Sequence, residues 1–216
     1  MTEYEVAHLD ELERLPGLEG AVRWQPVRRR FGIEAFGANV WSNDAEGGLL
    51  IEDHFERDGH EELYVVLRGR ARFTLGEGED VDAPAGTFVF VRPGTRRTAV
   101  AREPDTAVLA VGAKKGEVFQ PSGWEWASVA FGLLRNEKPD EGRRVMLEGV
   151  DKYRDHWAGH YNLACYEART GRTDEAIEAL RRSAELDAEQ ARKYAASDSD
   201  FEPLRDDPRF QELVHG

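Results

Sequence analysis

Between residues 49 and 111 the apolar positions come in short β-branched and aromatic runs, each closed by Gly or by Pro-Gly. The runs are Leu49 to Phe55, Leu63 to Leu67, Ala71 to Leu75, Phe88 to Val91, Thr98 to Ala101 and Ala107 to Val111. The breaks between them carry Asp58-Gly59, Gly76-Glu77-Gly78, Pro84-Ala85-Gly86, Pro93-Gly94 and Glu103-Pro104-Asp105. Many short strands with turn punctuation and no helical period between them predict a closed barrel or a double-sheet jelly roll. Ahead of this block, Tyr4-Glu5-Val6 reads as a short strand, Asp10 to Leu15 as a helical turn stopped by Pro16-Gly17, and Phe36 to Trp41 as a further strand. The texture changes across Lys114-Lys115-Gly116-Glu117-Val118-Phe119-Gln120-Pro121-Ser122-Gly123, which has no period. Beyond it, Asp174 to Leu180 and its neighbours place apolar residues three and four apart, the helical spacing. The pattern therefore predicts an all-β domain over 1–115, a linker over 116–124 and an all-α domain over 125–216. Phe201, Leu204, Phe210 and Leu213 mark short helices that close the far end of the helical domain.

Composition narrows the partners. The chain has 216 residues and a formal charge of -13, and a nucleic-acid or anionic-membrane partner needs clustered Lys and Arg that such a chain lacks. The acidity is shared between the halves, with 21 acids against 14 bases after residue 116 and 21 against 15 before it. Arg28-Arg29-Arg30 is the one basic triplet and is expected on a solvated face beside local carboxylates. A single cysteine, Cys165, excludes an intramolecular disulfide and fits a reducing compartment. No apolar run approaches 18 residues and no charged-then-apolar leader opens the sequence, so a cytoplasmic protein is expected.

Two runs carry the chemistry: 59–69 (GHEELYVVLRG) and 86–97 (GTFVFVRPGTRR). With Glu62 and Gly69 in the first and Gly86, Pro93 and Gly94 in the second, the β domain resembles the cupin family. That family has two histidines ahead of the glutamate and a third at the end of the second motif, and the resemblance implies a jelly-roll barrel with a divalent metal held by those histidines and the glutamate. Here the histidine pair falls on Glu56 and Asp58, or on Phe55 and Arg57, and the last histidine falls on Arg97. A guanidinium has no lone pair to give a metal. Strand alternation sets Glu62, Tyr64 and Val66 on one face, and Leu50, Glu52, His54 and Glu56 on one face of the preceding strand.

Two site readings follow. In the first, Glu62 and Arg97 form an ion pair where the metal would sit, with Tyr64 supplying a further hydrogen bond and His54 and Glu56 lining a metal-free ligand pocket. In the second, His54, Glu56, His60 and Glu62, with Asp58 beside them, hold one divalent cation. Asp58 is equally a turn cap, and His60 equally a surface residue. Arg92, Arg96 and Arg97 can form a carboxylate or phosphate receptor at the barrel mouth, or can be edge-strand charges that block unwanted pairing.

The helical domain resembles the tetratricopeptide repeat at Leu163, Ala164, Gly171, Ala176, Leu180, Ala184 and Leu186, and a 34-residue step back reaches Gly142, Met146, Gly149 and Val150 as a weaker copy. The resemblance implies protein binding, with Asn162 at the position where peptide-binding members clamp a backbone or terminal carboxylate. Trp157, Tyr161 and Tyr166 are expected to pack helices. The expected function is a non-catalytic small-molecule-binding or scaffolding protein, without cofactor and paired as a homodimer through the barrel. The alternative is a metal-dependent enzyme of oxygenase or isomerase type.

Overall fold

Alternation along His60–Arg68, HEELYVVLR, buries Tyr64 and Val66 while their neighbours remain partly exposed, and that period of two is what makes the segment a strand of a two-sided sheet. The computed structural model describes residues 4–17, 21–56, 59–117, 119 and 123–215. The chain divides into two compact units, Met1–Pro121 and Ser122–Gly216. The predicted Asp58 and Pro121 turn positions, and Arg57, lie outside the described residues.

Among its described residues the first unit holds ten strands: β1 (Leu15–Pro16), β2 (Arg23–Gln25), β3 (Gly37–Asn43), β4 (Leu49–His54), β5 (His60–Arg68), β6 (Arg70–Leu75), β7 (Glu79–Pro84), β8 (Phe88–Val91), β9 (Arg97–Ala101) and β10 (Thr106–Lys114). They form two antiparallel sheets, ordered β1-β2-β3-β10-β5-β8 and β4-β9-β6-β7. Most connections cross from one sheet to the other, and the apolar core lies between them. Leu50 and Ile51 of β4, Phe73 of β6 and Ala99 of β9 meet Tyr64, Val66, Val89, Val91 and Val108 from the larger sheet. Gly69 at the β5–β6 crossing has φ +69°, and a Cβ there would stand 3.0 Å from the Thr106 Cα, so only glycine turns the chain at that point.

Several sequence expectations change in this unit. Tyr4-Glu5-Val6 forms no strand, and both apolar side chains are exposed. The helical turn is a 3₁₀ turn at Leu9–Glu11, three residues rather than the six expected. The basic triplet lies in α1 (Val27–Phe31), where Arg30 is exposed and pairs with Glu5 at 2.8 Å as expected, whereas Arg28 is buried with its Nη1 donating to the Ile33 carbonyl at 3.0 Å. β7, Glu-Asp-Val-Asp-Ala-Pro, has no apolar run to announce it and forms because β6 offers it a full register from Arg70↔Pro84 to Leu75↔Glu79.

The second unit is helical: α2 (Gly123–Arg135), α3 (Pro139–Lys152), α4 (Trp157–Arg169), α5 (Thr173–Leu186), α6 (Ala188–Ala195) and α7 (Pro208–His215), with a 3₁₀ segment at Ser199–Leu204. α2 and α3 are 13 and 14 residues long, as are α4 and α5, and α4 and α5 begin 34 residues after α2 and α3 respectively. Small residues mark the close crossings. A Cβ on Gly142 would stand 2.6 Å from the Ala130 carbonyl, and one on Gly149 would stand 2.6 Å from the Trp126 Cβ. Glu167, buried on α4, receives the Arg143 Nε at 2.7 Å. Phe201 and Phe210 pack as tilted rings with centroids 5.4 Å apart and, with Leu204 and Val214, close the end beside α4. Among the described residues no helix is long and apolar enough to cross a membrane.

Candidate functional site

β4 and β9 pair with His54 opposite Arg97, which delivers both side chains to the interior from the smaller sheet. Glu62 reaches them from β5 in the larger sheet, where it pairs with Val91 on one side and Gly112 on the other. The site is therefore built across the gap between sheets, from residues 35 positions apart in the chain.

At its centre one oxygen does most of the accepting. Glu62 Oε2 receives the Arg97 Nε at 2.9 Å, the Arg97 Nη2, and the Tyr64 hydroxyl at 2.6 Å. Arg97 Nη1 donates to the Thr95 carbonyl at 2.9 Å, so all three guanidinium nitrogens have partners. The Arg97 side chain is 0% exposed and the Glu62 side chain 15%. Burial works against the Arg97 charge, but its contacts with Tyr64 and Glu62 outweigh that and hold the guanidinium above its ordinary value. Burial, and then the Glu62 carboxylate beside it, push the Tyr64 phenol far up, so that hydroxyl stays a donor.

Toward solvent the character reverses. His54 Nε2 faces Glu62 Oε2 at 3.9 Å and Glu56 Oε1 at 4.0 Å, both beyond hydrogen-bond distance. His54 Nδ1 lies 2.8 Å from the Glu52 carbonyl oxygen. A carbonyl only accepts, so Nδ1 carries the proton, and in the neutral ring Nε2 turns a lone pair toward the two carboxylates. Ligand atoms of His54, Glu56 and Glu62 lie within 4.8 Å of one another.

The structure thus brings Glu62, Arg97, Tyr64, His54 and Glu56 together and leaves His60 apart. His60 enters β5 on the same face as Glu62, but two residues nearer the strand end, where its ring lies over Gly112; a Cβ on Gly112 would stand 2.5 Å from the His60 Nε2. Glu52 is exposed, because β4 shifts register between Leu49 and Ile51 and again before His54, which breaks the strict alternation. Of the two arrangements open to Arg92, Arg96 and Arg97, the receptor cluster does not form. Arg96 turns outward onto Asp53, with Nε 2.6 Å from its carboxylate, and this hydrogen bond first of all lowers the Asp53 carboxyl below its usual range. Arg92 lies over the Phe90 ring at 5.4 Å. Asn39 was not singled out by sequence; its parity with Trp41 on β3 was the available signal. It sits in one row with Ala110 and Tyr64, and its buried Oδ1 has no hydrogen-bond partner among the described residues.

In the helical unit, Tyr161 and Tyr166 are buried and Trp157 stacks on Tyr194, which is packing as expected. Asn162 is half-buried on α4, and among the described residues its side chain makes no hydrogen bond. Cys165, Asp198 and Asp200 form a second group with converging ligand atoms. Burial and then the Asp198 carboxylate push the Cys165 thiol far up, so it serves as a donor to Asp198 Oδ2, which also takes the Tyr161 hydroxyl at 2.8 Å.

The chain is similar to several solved structures. It is 22% identical to KdgF from Halomonas sp. over 50% of this chain and 93% of that one, with a TM-score of 0.42. A cupin protein from Bacteroides fragilis is 19% identical over 56% and 93%, with a TM-score of 0.40. A predicted oxalate decarboxylase from Thermotoga maritima is 22% identical over 51% and 99%, with a TM-score of 0.42. No curated protein matches the chain. The family model described as the cupin domain matches residues 41–112, which run from β3 to β10 and include His54, Glu56, Glu62, Tyr64 and Arg97. Residues 41–112 of the β-sheet unit accordingly match the cupin domain.

Proposed function

We propose that the cupin domain is a non-catalytic, small-molecule-binding module in which Arg97 supplies internally the positive charge that a metal ion supplies elsewhere in the family. The observation that carries this reading is the fully buried guanidinium bonded through Nε and Nη2 to Glu62 Oε2, an oxygen already shared with Tyr64. The donor set of the family's metal does not fit here. The last imidazole position holds a permanent cation, and the one retained carboxylate is already neutralised by it. Elemental analysis of the purified protein tests the reading. Far less than one equivalent of Mn, Fe, Ni or Zn per chain is expected, and one full equivalent overturns it.

A metal-dependent enzyme of oxygenase or isomerase type is the second reading, favoured by the convergence of His54, Glu56 and Glu62 within 4.8 Å. It requires that Glu62→Gln remove both metal and activity; unchanged metal content in that variant counts against it.

The equal helix lengths and 34-residue offsets of α2–α3 and α4–α5 support a tetratricopeptide-like array that binds protein, with Asn162 as a contact. Asn162→Ala is then expected to weaken partner binding without lowering the melting temperature of the helical unit. A cytoplasmic location fits the single, buried Cys165. Pairing with a second copy through the barrel is supported by Phe88 and Phe90, 68% and 49% exposed on the outer face of the edge strand β8.

A further inference from the structure

We infer that two copies of the chain pack face to face across the outer surface of β10-β5-β8, with Glu61 of each copy meeting Arg92 of the other about a two-fold axis between β5 and β8. This rests on the proposed pairing through the barrel and specifies which surface pairs and what fixes its register.

The first reason is an apolar face that is covered at one edge and open at the other. Tyr64, Val66, Val89 and Val91 point into the core, so alternation turns Leu63, Val65, Phe88 and Phe90 outward. The strand register sets them in two rows, Phe88 beside Val65 and Leu109, and Phe90 beside Leu63 and Val111. On β3 the same rows end in Val40 and Ala38, which are buried. Across β10 and β5 the side chains are half-buried, and on β8 Phe88 and Phe90 are 68% and 49% exposed. A contiguous apolar face with a polar rim marks a protein contact. At about 200 Å² per ring the two phenylalanines leave roughly 230 Å² uncovered per copy, well short of the roughly 800 Å² that each partner gives to a stable pair. The contact must therefore take in β5 and the rim. Edge-to-edge pairing offers less, because β8 has four residues and Pro93 follows two positions beyond it.

The second reason is charge. Each copy carries a formal charge of -13, so two copies repel and the surface that joins them has to be balanced in itself. The outward positions of this face carry one acid and one base, Glu61 on β5 and Arg92 just past β8, both exposed. Glu62 pairs with Val91, so Glu61 and Arg92 stand at the same height on neighbouring strands. Among the described residues they form no ion pair with each other or with another group, and the Arg92 guanidinium lies over the Phe90 ring at 5.4 Å instead.

The third reason is symmetry. A two-fold parallel to the strands keeps each residue at its height and exchanges the strands that face one another. Placed along β5, it would set Glu61 against Glu61 of the second copy. Placed between β5 and β8, it lays Val65 over Phe88, Leu63 over Phe90 and Glu61 over Arg92 of the second copy, each contact made twice. Packed sheets lie about 10 Å apart, a gap that an extended Glu and Arg span together at the rim.

Light scattering on the full chain at low ionic strength, across a concentration series, tests this with charge swaps at two exposed positions. The wild type is expected to be a dimer. Glu61→Arg alone and Arg92→Glu alone each oppose like charges twice per dimer and should weaken it at least tenfold, with unchanged denaturation midpoints. An equimolar mixture of the two single variants should form dimers again, because both contacts in the mixed pair are of opposite sign. The double variant should do the same. Added salt should narrow the gap between the single variants and the wild type. Single variants that dimerise like the wild type, or a mixture that remains monomeric, overturn the inference while leaving a dimer through another part of the barrel. A monomeric wild type overturns the pairing itself and leaves the face to a partner of another kind, so the two failures are distinguishable.

Discussion

Arg97 is the residue on which both stability and the functional reading turn. Removing one member of a buried ion pair strands the other, at a cost of about 3–5 kcal/mol, while replacing both by apolar groups is close to neutral. Urea denaturation should therefore show Arg97→Leu destabilised by that amount and Arg97→Leu/Glu62→Leu recovering most of it; equal losses in both would mean the pair is not what holds the two sheets together here. A second prediction concerns alkaline pH. Burial raises the folded-state values of Cys165, Tyr64 and Tyr161 above those of the unfolded chain. Each therefore contributes stability that is complete below its unfolded value and is lost as pH rises beyond it. With unfolded values of about 8.5 for Cys and 10 for Tyr, the urea midpoint should fall from about pH 9 upward. Cys165→Ala should postpone the onset to near pH 10, and an unchanged onset would show that the thiol does not contribute.

The elements show where the residue pattern was sufficient and where it was not. β5, β6, β8 and β9 were legible because alternation and turn residues are local properties of the chain. β7 was not, since its acidic sequence becomes a strand only when β6 pairs with it. The face of β4 was half legible: parity pointed to His54, but the register shifts expose Glu52 and bury Leu50 and Ile51 together. In the helical unit Gly142 and Gly149 lie at close helix crossings, where a Cβ would meet the Ala130 carbonyl and the Trp126 side chain. Gly149→Ala would drive a Cβ into the Trp126 side chain and should lower stability by about 1–3 kcal/mol, read from the thermal melt of the helical unit. An unchanged melting temperature would mean that α2 and α3 can separate freely at that crossing.

At the scale of the molecule, the outer face of β8 presents Phe88 and Phe90 to solvent in a chain that carries a formal charge of -13. If that face joins two copies, light scattering of the wild-type protein should give a dimer, and Phe88→Glu with Phe90→Glu should give a monomer with unchanged secondary structure. A wild-type monomer at working concentrations removes the homodimer from the proposed function.

By itself the sequence determined the order of a strand-rich and a helical region, the turn glycines, the cupin resemblance and the arginine, Arg97, that stands where the resemblance puts a histidine. These depend on nearest neighbours and on side-chain type, which the chain states directly. Only the tertiary structure decided that Arg97 turns inward while Arg96 turns out, that His60 lies apart over Gly112, and that the Glu52 carbonyl orients the His54 ring. The first two outcomes depend on the register between strands 35 or more residues apart, where a shift of one residue exchanges the inner face for the outer one, and the third on the irregular register of β4 against β9.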